Sequence, residues 1–316
     1  MITSLNICLT YKCSANCIFC PNDRGECDTT KTGFMDIETM HKVIDGARDN
    51  NIKQIIIGEN GDAFLHPNFM INLKYIKKQL LNTKIILFTN FLTSTAEQWS
   101  EIISDKLVDH VVCNIDSIDP EQYKLAKNAD FFKMWENFTA FILIRAAMHK
   151  YNDISLEINV LDPVVYTQTL DNSFLQIKKD IDDKWIYLEN KTTQTINILK
   201  YLLTEKDCVQ GILPCFWAER DKIKGFLDNN FCPQLKRVET EAFIAPDGTW
   251  YACCLDSKNE LRLGNIHDMS LAEIEISSGR LKLIQQLREG KFVEIGSPCN
   301  TVVCCYSYKQ GGNKHE

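Results

Sequence analysis

Through the first two thirds of the chain, short runs of aliphatic and β-branched residues alternate with stretches whose apolar side chains recur every three or four positions. That alternation predicts repeated βα units and a parallel sheet. The runs at 5–9, 54–57, 84–88, 110–115, 155–160 and 184–188 read as six strands. Between them, Ile37, Met40, Val43, Ile44 and Ala47 make one helical stripe behind an Asp36 N-cap, and Phe69, Leu73, Ile76 and Leu80 a second. Ala96, Trp99, Ile102 and Ile103 repeat the pattern, and Phe138, Phe141, Ile142 and Arg145 mark a fourth helix. Such stripes belong to a core.

Polar residues collect where these strands end. Cys13, Cys17 and Cys20 follow the first strand, Gly61 and Asp62 the second, and Thr89 and Asn90 the third. Asn114 and Asp116 end the fourth, Asn159 and Asp162 the fifth, and Glu189 the sixth. In parallel α/β barrels the chemistry gathers at this C-terminal rim. Asp162 stands before Pro163 and Asp119 before Pro120, a context that also suits turn residues. Beyond about residue 215 the rhythm fades and a second cysteine-rich region begins, which divides the chain into domains at 1–215 and 216–316. The last residues, 311–316, read as a frayed tail.

Composition narrows the class. With 316 residues, 24% charged and 45% hydrophobic, the chain has the make-up of a globular protein of one large domain or two ordinary ones. Fourteen cysteines are too few for a small disulfide scaffold, and no basic segment followed by an apolar stretch marks a signal peptide. A cytoplasmic location with reduced thiols is expected, and cysteines there bind metal or do chemistry. Lys133, Glu136 and Arg145 interrupt the apolar segment 131–148, so no membrane partner is expected. The net charge of −7 provides no broad basic surface, so no nucleic-acid partner is expected either.

The sharpest chemical signal is the C-x3-C-x2-C spacing of Cys13, Cys17 and Cys20. Three thiolates leave one iron of a four-iron cluster without a protein ligand. A zinc site with a distant fourth ligand is the alternative. With the aromatic Phe19 just before the last cysteine, the motif resembles that of the radical S-adenosylmethionine (SAM) family. The resemblance implies a partial (β/α)6 TIM-like barrel, matching the strand count. It also implies that the amino and carboxylate groups of SAM chelate the open iron. Reductive cleavage then gives a 5′-deoxyadenosyl radical that takes hydrogen from a substrate C–H bond.

Further family elements follow the strands. Residues 58–67 resemble the G-E-P element, with Asp62 in the Glu position and Ala63 for Pro, so Gly61 and Asp62 are expected near the SAM ammonium. Thr89-Asn90 resembles the T-N ending of strand three, and Asn114-Ile115-Asp116 the S-I-D ending of strand four. The resemblance implies that Phe19 packs on the adenine, that Asn90 and Asn114 contact SAM, and that Asp116 contacts SAM or substrate. Each of these polar residues also suits a loop-stabilising role.

The later cysteines, Cys232, Cys253, Cys254, Cys299, Cys304 and Cys305, accompany Gly248 in a G-x4-C hairpin and the sequence Leu263-Gly264-Asn265-Ile266. This arrangement resembles the auxiliary-cluster region of SPASM and twitch enzymes. Two cysteine doublets, read as strand neighbours facing opposite ways, favour the twitch type with one auxiliary [4Fe–4S] cluster. Its expected ligands are Cys232, Cys253, Cys299 and either Cys304 or Cys305, with structural zinc as the alternative. Cys8, Cys27, Cys113, Cys208 and Cys215 read as buried small hydrophobes, one of which could return hydrogen in an epimerase.

Together with Cys20-Pro21-Asn22 and Thr32-Gly33-Phe34-Met35-Asp36, the single auxiliary region resembles the twitch-type 2-deoxy-scyllo-inosamine dehydrogenases. The resemblance implies dehydrogenation or epimerisation of a sugar or aminocyclitol-like small molecule, with a flavodoxin or ferredoxin-type reductant. Asp116, Asp162 and Glu189 are the candidate bases. A maturase that crosslinks or epimerises a ribosomally made peptide shares these motifs and remains an alternative. A non-catalytic iron–sulfur or zinc-binding protein is the third reading.

Overall fold

The structure, a computed structural model, describes residues 1–17, 20, 33–117, 120–148, 153–160, 207–211, 232, 234–256 and 259–300. Its strands are β1 (Ser4–Ile7), β2 (Gln54–Ile57), β3 (Lys84–Thr89), β4 (His110–Asn114), β5 (Ser155–Val160), β6 (Cys208–Gly211), β7 (Glu241–Ile244), β8 (Thr249–Tyr251) and β9 (Arg262–Asn265). They form one sheet in the order β6-β5-β4-β3-β2-β1-β7-β8-β9. The run from β6 to β7 is parallel, and β8 and β9 continue it antiparallel.

Five of the six expected strands are present close to their expected bounds, while 184–188 lies outside the described residues. The strand beside β5 is Cys208–Gly211. Its four residues, with a terminal glycine, carry almost no strand signal of their own. An ion pair fixes it instead. Arg145, fully buried in the apolar stripe of its helix, donates to Asp207 at 2.8 and 2.7 Å and to the Ile154 carbonyl at 3.0 Å. Asp207 also accepts from the Leu156 amide at 2.8 Å, so one carboxylate ties a helix, β5 and the entry to β6.

The helices are α1 (Ile37–Asp49), α2 (Phe69–Gln79), α3 (Ala96–Ser104), α4 (Pro120–Lys127), α5 (Phe131–Ala147), α6 (Leu235–Thr240), α7 (Leu271–Glu275), α8 (Ser278–Arg288) and α9 (Phe292–Ile295). In the pleated strands, Leu5, Ile7, Ile55, Ile57, Val111 and Leu156 share one face and one core with the stripes of α1, α2, α3 and α5. Asn6, Asn114 and Asn159 alternate with them and lie on the opposite face, together with Ile56, Ile86, Phe88 and Val112. Ile37 departs from its expected stripe and is exposed, because the packed face of α1 begins one turn later at Met40. No helix among the described residues is long and apolar enough to cross a membrane.

Asp36 caps α1 by accepting from the Thr39 amide at 2.7 Å, and that bond holds its carboxyl below the ordinary carboxylate range. Replacement with alanine should cost about 1 kcal/mol at neutral pH. The contribution is present above the unfolded-state pKa and fades as pH falls through the lower folded value. Urea melts of Asp36→Ala and wild type should therefore converge in acid.

The region from Cys232 builds onto the same sheet. β7 pairs with β1, and Gly248 (φ +79°) turns the chain into β8. Around this hairpin a second core gathers Cys232, Phe243, Tyr251, Leu283, Leu287 and Cys299.

Candidate active site

The loop after β1 carries the first three cysteines. Cys13 is exposed, Cys17 is buried and Cys20 is partly exposed. The Cys20 amide donates to the Cys17 carbonyl at 2.9 Å, which fixes the short end of the motif. Loops from neighbouring strands hold the rest. Asp62 donates its amide to the Lys12 carbonyl at 2.8 Å. Its buried carboxylate accepts from Ser14 Oγ at 2.9 Å, Thr93 Oγ1 at 2.6 Å and the Phe64 amide at 3.2 Å. Asn90 donates to Ser14 Oγ at 3.2 Å and to Cys13 Sγ at 3.6 Å. From below, the Lys127 carbonyl accepts from the Asn16 amide at 2.9 Å.

Gly61 has a packing reason as well as a conformational one. Its φ is +78°, and an added Cβ would lie 2.0 Å from the Thr10 carbonyl oxygen. Alanine there should cost about 1–2 kcal/mol in backbone strain alone. It must also push the cysteine loop away from β2. The expected readout is lower iron and sulfide content per chain after anaerobic reconstitution, and wild-type loading would contradict this account of the loop.

The structure gathers Cys13, Cys17, Gly61, Asp62 and Asn90 at one rim. Asn114, at the end of β4, accepts from Asn159 Nδ2 at 2.9 Å, which joins the ends of β4 and β5. Asp116 is buried, has a φ of +65°, and lies 2.7 Å from Lys127 Nζ. Phe19, Asp162, Glu189, Cys304 and Cys305 lie outside the described residues.

Cys232, Cys253 and Cys299 share the second core with Cys254. The doublet Cys253-Cys254 lies past the end of β8, so strand alternation does not govern it. Cys253 Sγ accepts from the Leu255 amide at 3.4 Å, whereas Cys254 Sγ accepts from the Arg237 guanidinium at 3.3 Å.

Two ionic features escaped sequence reasoning. One is the Lys127–Asp116 pair. In the other, Arg237 donates to Glu59 at 2.9 and 2.8 Å and to Glu241 at 2.7 and 2.9 Å, and Asn6 also donates to Glu59. The i,i+4 spacing of Arg237 and Glu241 is the one local signal of this network. Its reach to Glu59 across the sheet has none.

Among the described residues, no three His, Cys, Asp or Glu side chains converge on a single ion. A four-iron cube places its thiolates at separate corners, and three thiols spread along one tethered loop suit it. Asn16 Oδ1, Asp116 Oδ1 and Tyr123 OH are buried without a hydrogen-bond partner, a pattern that suits a polar ligand beside the loop. Burial pushes the Cys17 thiol up to about 11, so loading iron must release a proton there.

A parallel α/β sheet with a cysteine triad at its rim and a second group of thiols in the later core suits an iron–sulfur protein. The radical SAM superfamily model matches residues 7–143, and the SPASM model, an iron–sulfur cluster-binding domain, matches residues 232–306. This chain carries a radical SAM domain and a C-terminal SPASM domain.

A probable GTP 3′,8-cyclase of Methanococcus aeolicus is 28% identical over 277 residues, 82% of this chain and 87% of that protein. Another, from Methanococcus maripaludis, is 25% identical over 123 residues, which span only 39% of either chain. BtrN, solved in complex with AdoMet and 2-DOIA, superposes with a TM-score of 0.59 at 13% identity, covering 96% of this chain and 92% of its own. SuiB of Streptococcus suis bound to its precursor peptide SuiA gives 0.57 at 14% identity, covering 91% and 67%. At such identities these two structures establish the shared fold. The family implies [4Fe–4S] clusters and SAM. When bound, they supply the electron and the 5′-deoxyadenosyl radical.

Proposed function

We propose that the protein is a radical SAM oxidoreductase that dehydrogenates or epimerises a sugar or aminocyclitol-like small molecule. The observation that carries the reading is a set of polar groups on the sheet face that also bears Ile56, Ile86, Phe88 and Val112: Asn6, Glu59, Asn114 and Asn159 stand among them. Those groups suit a substrate rich in hydroxyls and amines. The resemblance to BtrN along nearly the whole of both chains supports the same class.

In this reading Cys13, Cys17 and Cys20 bind the first cluster. Gly61, Asn90, Asn114 and the open oxygen of Asp116 line SAM, with Phe19 against its adenine. Asp62, whose two oxygens are taken by Ser14, Thr93 and Phe64, positions the loop. Cys232, Cys253, Cys299 and one of Cys304 and Cys305 bind a single auxiliary cluster in a domain that begins near 216. Asp162 and Glu189 are the better candidate bases, since Asp116 must first leave Lys127 to accept a proton. A flavodoxin or ferredoxin-type reductant completes the system, in the cytoplasm.

The likeness to proteins named GTP 3′,8-cyclase favours a second reading, cyclisation of a nucleoside triphosphate. Against it, Arg237 is taken up by Glu59 and Glu241, and two carboxylates at that face repel a polyphosphate. The precursor peptide bound by SuiB keeps peptide modification as the other alternative.

The test offers 2-deoxy-scyllo-inosamine, GTP and SAM to the reconstituted enzyme under reductant. The expected result is a two-electron-oxidised or epimerised aminocyclitol with 5′-deoxyadenosine. Cys253→Ala should lose that product while sparing SAM cleavage. Consumption of GTP with the aminocyclitol untouched would overturn the reading.

A further inference from the structure

We infer that the buried Lys127–Asp116 pair governs how readily the site formed by Cys13, Cys17 and Cys20 takes up an electron, with Lys127 as its positioning and electrostatic residue. The inference rests on the reading that these three thiols hold a [4Fe–4S] cluster.

Placement comes first. Lys127 is the last residue of α4, its side chain 6% exposed, and Asp116 follows β4 at 1% exposed, with 2.7 Å between Nζ and Oδ2. The same lysine accepts the Asn16 amide through its carbonyl at 2.9 Å, immediately before Cys17 in the C-x3-C segment. One residue therefore sets both the height of the loop and the charge beneath it.

Stability does not account for the pair. Removing two charges from water costs several kcal/mol per ion, and a buried pair recovers this only when its remaining hydrogen-bonding capacity is satisfied. Here Asp116 Oδ1 and the neighbouring Tyr123 OH are buried without hydrogen bonds. Asp116 is also held at a φ of +65°, in the left-handed region that costs a residue with a Cβ about 1–3 kcal/mol. Two apolar residues at these positions would fold more cheaply. What they would lack is a cation under the loop.

The sign of the field follows from the partners. Lys127 is tied through its carbonyl to Asn16, the residue before Cys17, so the ammonium is the charge of the pair carried by the element that touches the loop. A cation beside the loop makes added negative charge less costly, and the anion paired with it offsets part of that effect. In a water-poor interior such a field is weakly screened. An electron added to a cluster already carrying three thiolates raises its negative charge, and net charge and surroundings set iron–sulfur potentials. Lys127 favours uptake, and Asp116 moderates it.

The experiment is a potentiometric titration followed by electron paramagnetic resonance, without SAM, on wild type, Lys127→Met, Asp116→Asn and the double variant after anaerobic reconstitution. The first cluster is identified as the signal that later addition of SAM perturbs. At a fixed potential, Lys127→Met should raise the oxidised-to-reduced ratio about tenfold, about 59 mV for a one-electron couple. Asp116 takes up a proton once its partner is gone, so that shift reports the lost positive field.

Asp116→Asn should shift the ratio the other way, and the double variant, which is uncharged at the pair like Lys127→Met with its protonated Asp116, should coincide with Lys127→Met. A ratio for Lys127→Met within about threefold of wild type, or a shift of both single variants in one direction, overturns the inference. If Lys127→Met fails to take up iron, Asp116→Asn decides alone: easier reduction supports the inference, and an unchanged or harder reduction overturns it. A wild-type protein with no SAM-sensitive signal strikes the three-thiol reading instead.

Discussion

Cys17→Ala should abolish 5′-deoxyadenosine formation altogether. Of the three thiols in the first motif, Cys17 is the buried one, and its neighbours are tethered so that it faces the site from a fixed position. Two remaining thiolates cannot hold the cube in the required orientation, so the loss is complete rather than graded. The fold should survive, because the loop is held independently through Asp62, Asn90 and Lys127. The check is mass-spectrometric detection of 5′-deoxyadenosine after reduction with SAM, beside circular dichroism of the same sample. Iron assigned to the second site should remain. Retained SAM cleavage in a folded variant would contradict the role given to Cys17.

The second large effect concerns the sheet. Asp207→Ala should destabilise the protein by about 3–5 kcal/mol, because the buried Arg145 then loses its two-point carboxylate partner. The native side chains are 0% and 2% exposed, so water cannot replace the lost partner. The double change Arg145→Met with Asp207→Leu should recover much of the loss, since a well-packed apolar pair avoids the desolvation cost. Urea unfolding with an unchanged slope measures both. A loss under about 1 kcal/mol for the single variant would show that β6 is held by other contacts.

That pair also marks the limit of sequence reading. Period-two and period-3.6 patterns depend on near neighbours, so β2 and β5 emerge with their exact bounds and the α1 cap with its residue. The strand at Cys208–Gly211 depends on Arg145, far away along the chain, and no local pattern announces such a contact. Lys184–Leu188, which aromatic and β-branched residues mark as a strand in the sequence, lies outside the described residues.

The site divides in the same way. Thiol spacing is a local property and reveals the cluster motifs directly. The shell around them joins distant segments: Ser14 to Asp62, Asn16 to Lys127, Arg237 to Glu59. Asp62 illustrates the consequence. Its place in a G-E-P-like element suggests a ligand contact, yet both oxygens are occupied by hydroxyls and an amide that hold the loop. The Cys253-Cys254 doublet is a related case, where reasoning from strand alternation fails because the strand ends before it.

The central claim is that three thiols leave one iron free for SAM. The most direct measurement is electron–nuclear double resonance on the reduced protein with SAM isotopically labelled at its amino nitrogen. The account predicts a hyperfine coupling between that nitrogen and the cluster, lost in Cys17→Ala. An intact, reduced first cluster with no such coupling, or zinc in its place, would contradict it.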